Sequence, residues 1–116
     1  MAGITFVSFD DPVVFINSCI ITTPGVYRVA DISIEDVRLM IKDKMTESAI
    51  GHQPIADILT TLLDHEVEMN RTSPHQRVNQ IFIAVKLNTR VAEGVILNKA
   101  DIDRIGYGFR LIERLA

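Results

Sequence analysis

The segment Ser48-Ala49-Ile50-Gly51-His52-Gln53-Pro54 places a histidine immediately before the most strongly patterned helix of the chain. A helix N-terminus offers unpaired N–H groups and the positive end of a dipole, which favours anions such as phosphate. A histidine at that point can contact a phosphate or give a proton to a leaving oxygen. Gly51 beside it permits close approach of the backbone. The plain alternative is a surface histidine next to a turn. A second cluster, Asn88-Thr89-Arg90-Val91-Ala92-Glu93-Gly94, directly follows an apolar strand, and strand ends are favoured site positions. Arg90 carries a planar fork suited to phosphate. Glu93 can accept a proton or orient a neighbour; otherwise the cluster is a solvated turn with an ion pair. In Asn70-Arg71, the arginine binds an anion or faces water. In Asn17-Ser18, the amide and hydroxyl bind a ligand or satisfy the backbone where a strand ends. The neighbouring Cys19 reads as a packed thiol. His65 and His75 show no metal-ligand spacing with each other or with His52, and Asp10-Asp11 is isolated. The chain contains no HExxH, GxSxG, GxxxxGK[ST] or GxGxxG pattern. No metal and no cofactor is expected.

These residues need elements to hold them. Ile4, Phe6 and Ser8 alternate with Thr5, Val7 and Phe9 as an edge strand would, until Asp10-Asp11-Pro12 breaks the pattern. Val13–Ile16 is apolar on both faces and predicts a central strand. Thr23-Pro24-Gly25 reads as a turn, and Val26–Ile32 as a second strand in a hairpin with the first. Ser33-Ile34-Glu35-Asp36 resembles a capping box, after which Ile34, Val37, Ile41 and Met45 share a helical face. A second helix is expected over Gly51–Asp64, with Pro54 in its first turn. Ile55, Ile58, Leu59, Leu62 and Leu63 form its buried stripe. Glu66–Arg71 alternates as a half-buried strand, Thr72–Asn79 is a polar loop, and Gln80–Leu87 is a central strand. Asn98-Lys99-Ala100-Asp101 starts a short third helix that Gly106 stops, and Tyr107, Phe109 and Leu111 alternate in a closing strand. Strands and helices mix without a regular β-α-β rhythm. The expected fold is a single small α+β domain: a mixed sheet of about five strands with helices packed on it.

Composition narrows the function classes. The chain has 116 residues, 47% of them hydrophobic and 23% charged, which is ordinary globular composition. A formal net charge of −3 argues against coating long nucleic acid through bulk charge, so an anion site has to be local. One cysteine allows neither an internal disulfide nor a cysteine zinc cluster, and a cytoplasmic setting is expected. The longest apolar runs, Val13–Ile16 and Ile81–Val85, are too short for a bilayer, and the N-terminus has no signal-peptide pattern.

Taken together, the order of the clusters is more specific than any one of them. Phe-Ile-Asn-Ser at 15–18, Ser-Ala-Ile-Gly-His at 48–52, Asn-Arg at 70–71 and Arg-x-x-Glu-Gly at 90–94 resemble the small viral and bacterial ring-nuclease family. Viral members of that family act as anti-CRISPR proteins against type III systems. The resemblance runs from about Val13 to the C-terminus, leaving 1–12 as an N-terminal extension or extra strand and 13–116 as the ring-nuclease-like domain. It implies a homodimer in a bacterial or infected-host cytoplasm, with no membrane partner. It implies that the dimer binds cyclic tetra-adenylate and cuts it without metal to linear di-adenylate with a 2′,3′-cyclic phosphate, switching off type III signalling. On this resemblance His52, Arg90 and Glu93 are catalytic, and Asn17, Ser18, Gly51 and Arg71 bind ligand. The chain also departs from archaeal-virus members. Ile20 stands where they carry a functional serine, Gln53-Pro54 where an Asp often follows the histidine, and Ala92 where a second acid precedes Glu93. Those departures imply slower turnover or a shifted ligand preference. They leave two alternatives open: a non-catalytic cyclic-oligoadenylate binder, and a small structural or interaction dimer.

Overall fold

A computed structural model describes residues 11–17, 23–91, 94 and 96–116. The expected strand over residues 4–9 lies outside the described residues, as does Cys19. A five-stranded mixed sheet has the order β2-β5-β4-β1-β3. Its strands are β1 (Val13–Ile16), β2 (Tyr27–Ile32), β3 (Thr46–Ala49), β4 (Ile81–Leu87) and β5 (Tyr107–Arg114). The helices are α1 (Ile34–Ile41), α2 (Gln53–Leu63) and α3 (Lys99–Ile105). This is the expected α+β domain.

β1 shows why an all-apolar strand ends up central. All four of its residues are buried, and it pairs in parallel with β3 on one side and β4 on the other. β2 is half-exposed along its length. It therefore sits at an edge and pairs antiparallel with β5, not in a hairpin with β1 as its place in the sequence led us to expect. The sequence pattern assigns no element to Thr46–Ala49. Its composition has little β propensity, and it becomes a strand because β1 presents a backbone ladder to it. Conversely, Glu66–Arg71 is not a ladder strand. A single parallel bridge, Ile50 to Met69, ties it to the end of β3. Several of its backbone groups bond elsewhere: the Thr60 hydroxyl brackets Val67, and the Ser48 hydroxyl donates to the Glu68 carbonyl.

All three helices contribute to the larger of two apolar clusters. Val37, Met40 and Ile41 of α1, Ile58, Leu59, Leu62 and Leu63 of α2, and Ile102 of α3 meet Phe15, Ile83, Val85 and Leu111 of the sheet. The other sheet face carries a smaller cluster of Val14, Ile16, Ala49, Phe82, Ala84 and Ile112. Helix α1 ends at Ile41, so the expected stripe stops short of Met45, which is 72% exposed. Ile55, placed on the buried stripe of α2, is half-buried at the edge of that stripe. Arg38 closes the end of α2 by donating from Nε and Nη2 to the Leu62 carbonyl at 3.1 and 2.6 Å. Asn98 and Asp101 form a complete capping box on α3. Gly106 ends that helix at φ +82°, where a Cβ would meet the Asn88 amide nitrogen at 2.5 Å.

Candidate active site

The carboxyl ends of the three parallel strands converge. Asn17 follows β1, Gly51 and His52 follow β3 after one residue, and Asn88 to Arg90 follow β4. Strand β1 lies between the other two, so the chain places β3 on one side of it and later β4 on the other. A crevice outside the carboxyl ends of strands, at such a switch point, is a favoured ligand site.

His52 is the N-cap of α2, with extended backbone (φ −140°, ψ 114°) and no side-chain capping bond. Its carbonyl accepts from the N–H groups of Ile55 and Ala56 at 3.1 and 3.2 Å. Pro54 in the first turn removes one N–H that would otherwise be unpaired. The ring is therefore held at the start of the helix and is half-buried. Its Nε2 lies 2.8 Å from the Val91 carbonyl oxygen. A carbonyl only accepts, so Nε2 carries the hydrogen in this arrangement.

The peptide before His52 is gripped from two sides. Arg71 donates from Nε to the Gly51 carbonyl at 2.9 Å, and the Gly51 N–H points at Asn17 Oδ1 at 3.4 Å. Asn70 reinforces the grip, donating from Nδ2 to the Ser48 carbonyl at 2.8 Å and from its own N–H to the Ile50 carbonyl at 2.7 Å. A Cβ on Gly51 would sit 3.3 Å from Arg71 Cγ, so a larger residue presses on this clamp. Asn17, Gly51 and Arg71 are thus brought to one place, and part of what Asn17 and Arg71 do is position the histidine.

A cavity of about 780 Å³ opens at this point, lined by Asn17, Gly51, His52, Ile55, Val85, Lys86, Leu87, Thr89, Arg90, Val91 and Arg110. Three of those side chains are cationic and none is a carboxylate. The exposed Arg90 is one of the three. A chain of net charge −3 therefore has a local positive concavity. Thr89 belongs to the cluster that follows β4 in the sequence, whereas Lys86 and Arg110 were not singled out there. The signals available were a lysine breaking the apolar run of β4 and an arginine alternating with the buried Phe109 and Leu111 of β5. Ser18 and Glu93, also expected at the site, lie outside the described residues. Elsewhere, a cavity lined by Glu47, Glu66 and Glu68 has the opposite charge. His65 pairs with the Thr46 hydroxyl, and His75 with that of Thr23, so the histidines do not gather. Among the described residues, no three of His, Cys, Asp or Glu come together as a metal site. No described helix is long and apolar enough to cross a membrane.

Residues 13–109 match the family model described as STIV B116-like. The chain belongs to the STIV B116-like family. A relative from Bacillus subtilis strain 168, the uncharacterized protein YddF, is 33% identical over 105 residues, covering 89% of this chain and 97% of its own. Uncharacterized protein 26 of Sulfolobus islandicus filamentous virus is 30% identical over 89 residues, covering 76% and 75%. Among solved structures, B116 of Sulfolobus turreted icosahedral virus superposes with a TM-score of 0.75 at 19% identity, over 89% of this chain and 99% of that one. The family is thus shared by archaeal viruses and bacteria, and the viral B116 structure has the same fold.

Proposed function

We propose that this protein is a metal-independent ring nuclease: it binds cyclic tetra-adenylate in the cavity at the carboxyl ends of β1, β3 and β4 and opens the ring. One observation carries the reading. His52, fixed at a helix N-terminus, shares with Arg90 a concavity whose described lining is cationic and free of carboxylates. That suits chemistry on a phosphodiester and disfavours an uncharged ligand.

The reaction is an internal transesterification. A ribose 2′-oxygen attacks the adjacent 3′ phosphorus in line, a 2′ O–P bond forms, and the P–O5′ bond breaks. The 2′-hydroxyl proton is released and the 5′-oxygen is protonated. The products end in a 2′,3′-cyclic phosphate and a 5′-hydroxyl. Nucleophile and electrophile both belong to the substrate, so the protein has to hold the attacking geometry, stabilise phosphate charge and supply a proton. Positioning is worth about 7–11 kcal/mol in favourable cases. Arg90 serves the second task, and an imidazolium at His52, worth ~10²–10⁴-fold, serves the third. Glu93, three residues beyond Arg90 in the chain, is assigned to receive a proton or orient a partner. The Val91 carbonyl, an acceptor at 2.8 Å, already holds a proton on Nε2.

A homodimer fits a ring of four phosphates, because a two-fold axis offers the same residues to opposite phosphates. The setting proposed is a bacterial or infected-host cytoplasm, where cleavage removes a type III CRISPR signal. Incubation of radiolabelled cyclic tetra-adenylate with protein well below ligand tests the proposal. Complete conversion to di-adenylate with a cyclic phosphate supports it. Binding without turnover would make the protein a sponge or sensor instead, an outcome favoured by Ile20 and Ala92 in place of the expected serine and acid. Failure to bind leaves a structural or interaction dimer.

A further inference from the structure

We propose that Lys86 and Arg110 form a second anion position of the same cavity, one that holds a phosphate of the ligand other than the one being cleaved. The inference rests on the cyclic-oligonucleotide reading above. It starts from the register of β4 against β5. Lys86 lies opposite Gly108, and Ala84 opposite Arg110. Side chains alternate along a strand, so Lys86, Ala84, Gly108 and Arg110 share one face. That face is the one bearing Ala84 and Ile112, away from the helices and from His52. Lys86 and Arg110 are therefore diagonal neighbours across a cell floored by an alanine and a glycine. A Cβ on Gly108 would meet nothing within 4 Å, so the space above the cell is open.

Two like charges on neighbouring sheet positions repel unless something negative sits between them. The negative group present is Asp31, opposite Arg110 in the β2–β5 register, with its carboxylate 3.5 Å from Arg110 Nε. Asp31 is 93% exposed and Arg110 45% exposed, so the pair is water-screened and exchangeable. Lys86 has no ion-pair partner among the described residues. Both cations line the cavity that His52 and Arg90 line. The cavity thus folds over the rim of the sheet, with the histidine on one side and this cation pair on the other. A ring carrying several phosphates presents charge on both sides of such a rim, whereas a mononucleotide does not. The pair selects for cyclic or multi-phosphate ligands, and Asp31 competes with the ligand for Arg110.

The test measures equilibrium binding of cyclic tetra-adenylate bearing 2′-deoxyriboses, which lacks the attacking hydroxyl, at several salt concentrations. The parent protein is compared with Arg110→Gln, Lys86→Gln and Asp31→Asn. Each cation removal is expected to raise Kd about tenfold and to flatten the dependence of Kd on salt. Asp31→Asn is expected to lower Kd a few-fold, an opposite sign that loss of folding cannot produce. Thermal midpoints within roughly 2 °C of the parent keep the comparison clean, as expected for exposed side chains. If the parent binds while Arg110→Gln and Lys86→Gln match its Kd and salt slope, this inference is overturned and the ring-nuclease reading stands. If the parent itself does not bind, that reading and this inference both fall.

Discussion

Replacing His52 by alanine separates chemistry from architecture. The side chain is half-buried, and its Nε2 bonds to the Val91 carbonyl. It makes no capping bond, because the N-cap role of His52 is carried by its backbone carbonyl. The buried stripe of α2 is supplied by Ala56, Ile58, Leu59, Leu62 and Leu63. Losing the Val91 bond costs about 1 kcal/mol, a fall of roughly 4 °C in Tm for a domain of this size. Affinity should largely survive, because Arg90, Lys86, Arg110 and the backbone at Asn17 and Gly51 remain. The chemical step should fall by at least ~10²-fold, about 2.7 kcal/mol of transition-state stabilisation. The assay is single-turnover cleavage of cyclic tetra-adenylate at saturating protein, run beside direct binding and a thermal melt. Cleavage at the parent rate would sink the assignment of His52 as the acid. A Tm drop of ten degrees or more would show that the ring supports the fold more than its contacts indicate.

Arg90→Ala should weaken both binding and the single-turnover rate, because its charge serves bound ligand and transition state alike; a loss confined to one of the two would contradict that role. Gly106→Ala should destabilise by about 1–3 kcal/mol, since a non-glycine residue at φ +82° is strained and its Cβ must displace the Asn88 side chain; chemical denaturation reads this, with no change expected in m. Leu59→Ala, at a position 1% exposed in the main core, should cost about 2–5 kcal/mol, and a loss under 1 kcal/mol would mean that α2 is packed less tightly than described.

Much of the fold was legible because apolar pattern and burial are the same variable. The stripe of α2, the all-apolar β1, the apolar run of β4, the caps of α1 and α3 and the glycine stop at Gly106 all lie where the sequence placed them, within a residue or two. What failed was pairing. Sequence adjacency favoured a β1–β2 hairpin, but β1 needs a covered neighbour on each side, while β2 can remain half-exposed. Thr46–Ala49 and Glu66–Arg71 failed for a related reason. Strand formation at an edge depends on which neighbour offers free backbone groups, and β1 offers its ladder to the weakly β-prone Thr46–Ala49 segment. The alternating 66–71 segment meets only the tail of β3.

The candidate site was legible in so far as Asn17, Gly51, His52, Arg71 and Arg90 gather in one place, but not as a division of labour. Asn17 and Arg71 look alike to a reader of the sequence: polar groups at strand ends, each able to touch a ligand. The hydrogen bonds separate two tasks, because both side chains engage the Gly51 peptide that sets the direction of His52. Lys86 and Arg110 were missed for the complementary reason. Each is an unremarkable alternating cation in its own strand, and only the antiparallel register of β4 with β5 makes them neighbours over a bare glycine. Local sequence reports which face a residue occupies. Cross-strand register, set by the whole sheet, decides whether two such residues act on one ligand. Charge in a cavity is therefore hardest to see where distant segments assemble it, as Lys86 of β4 and Arg110 of β5 do.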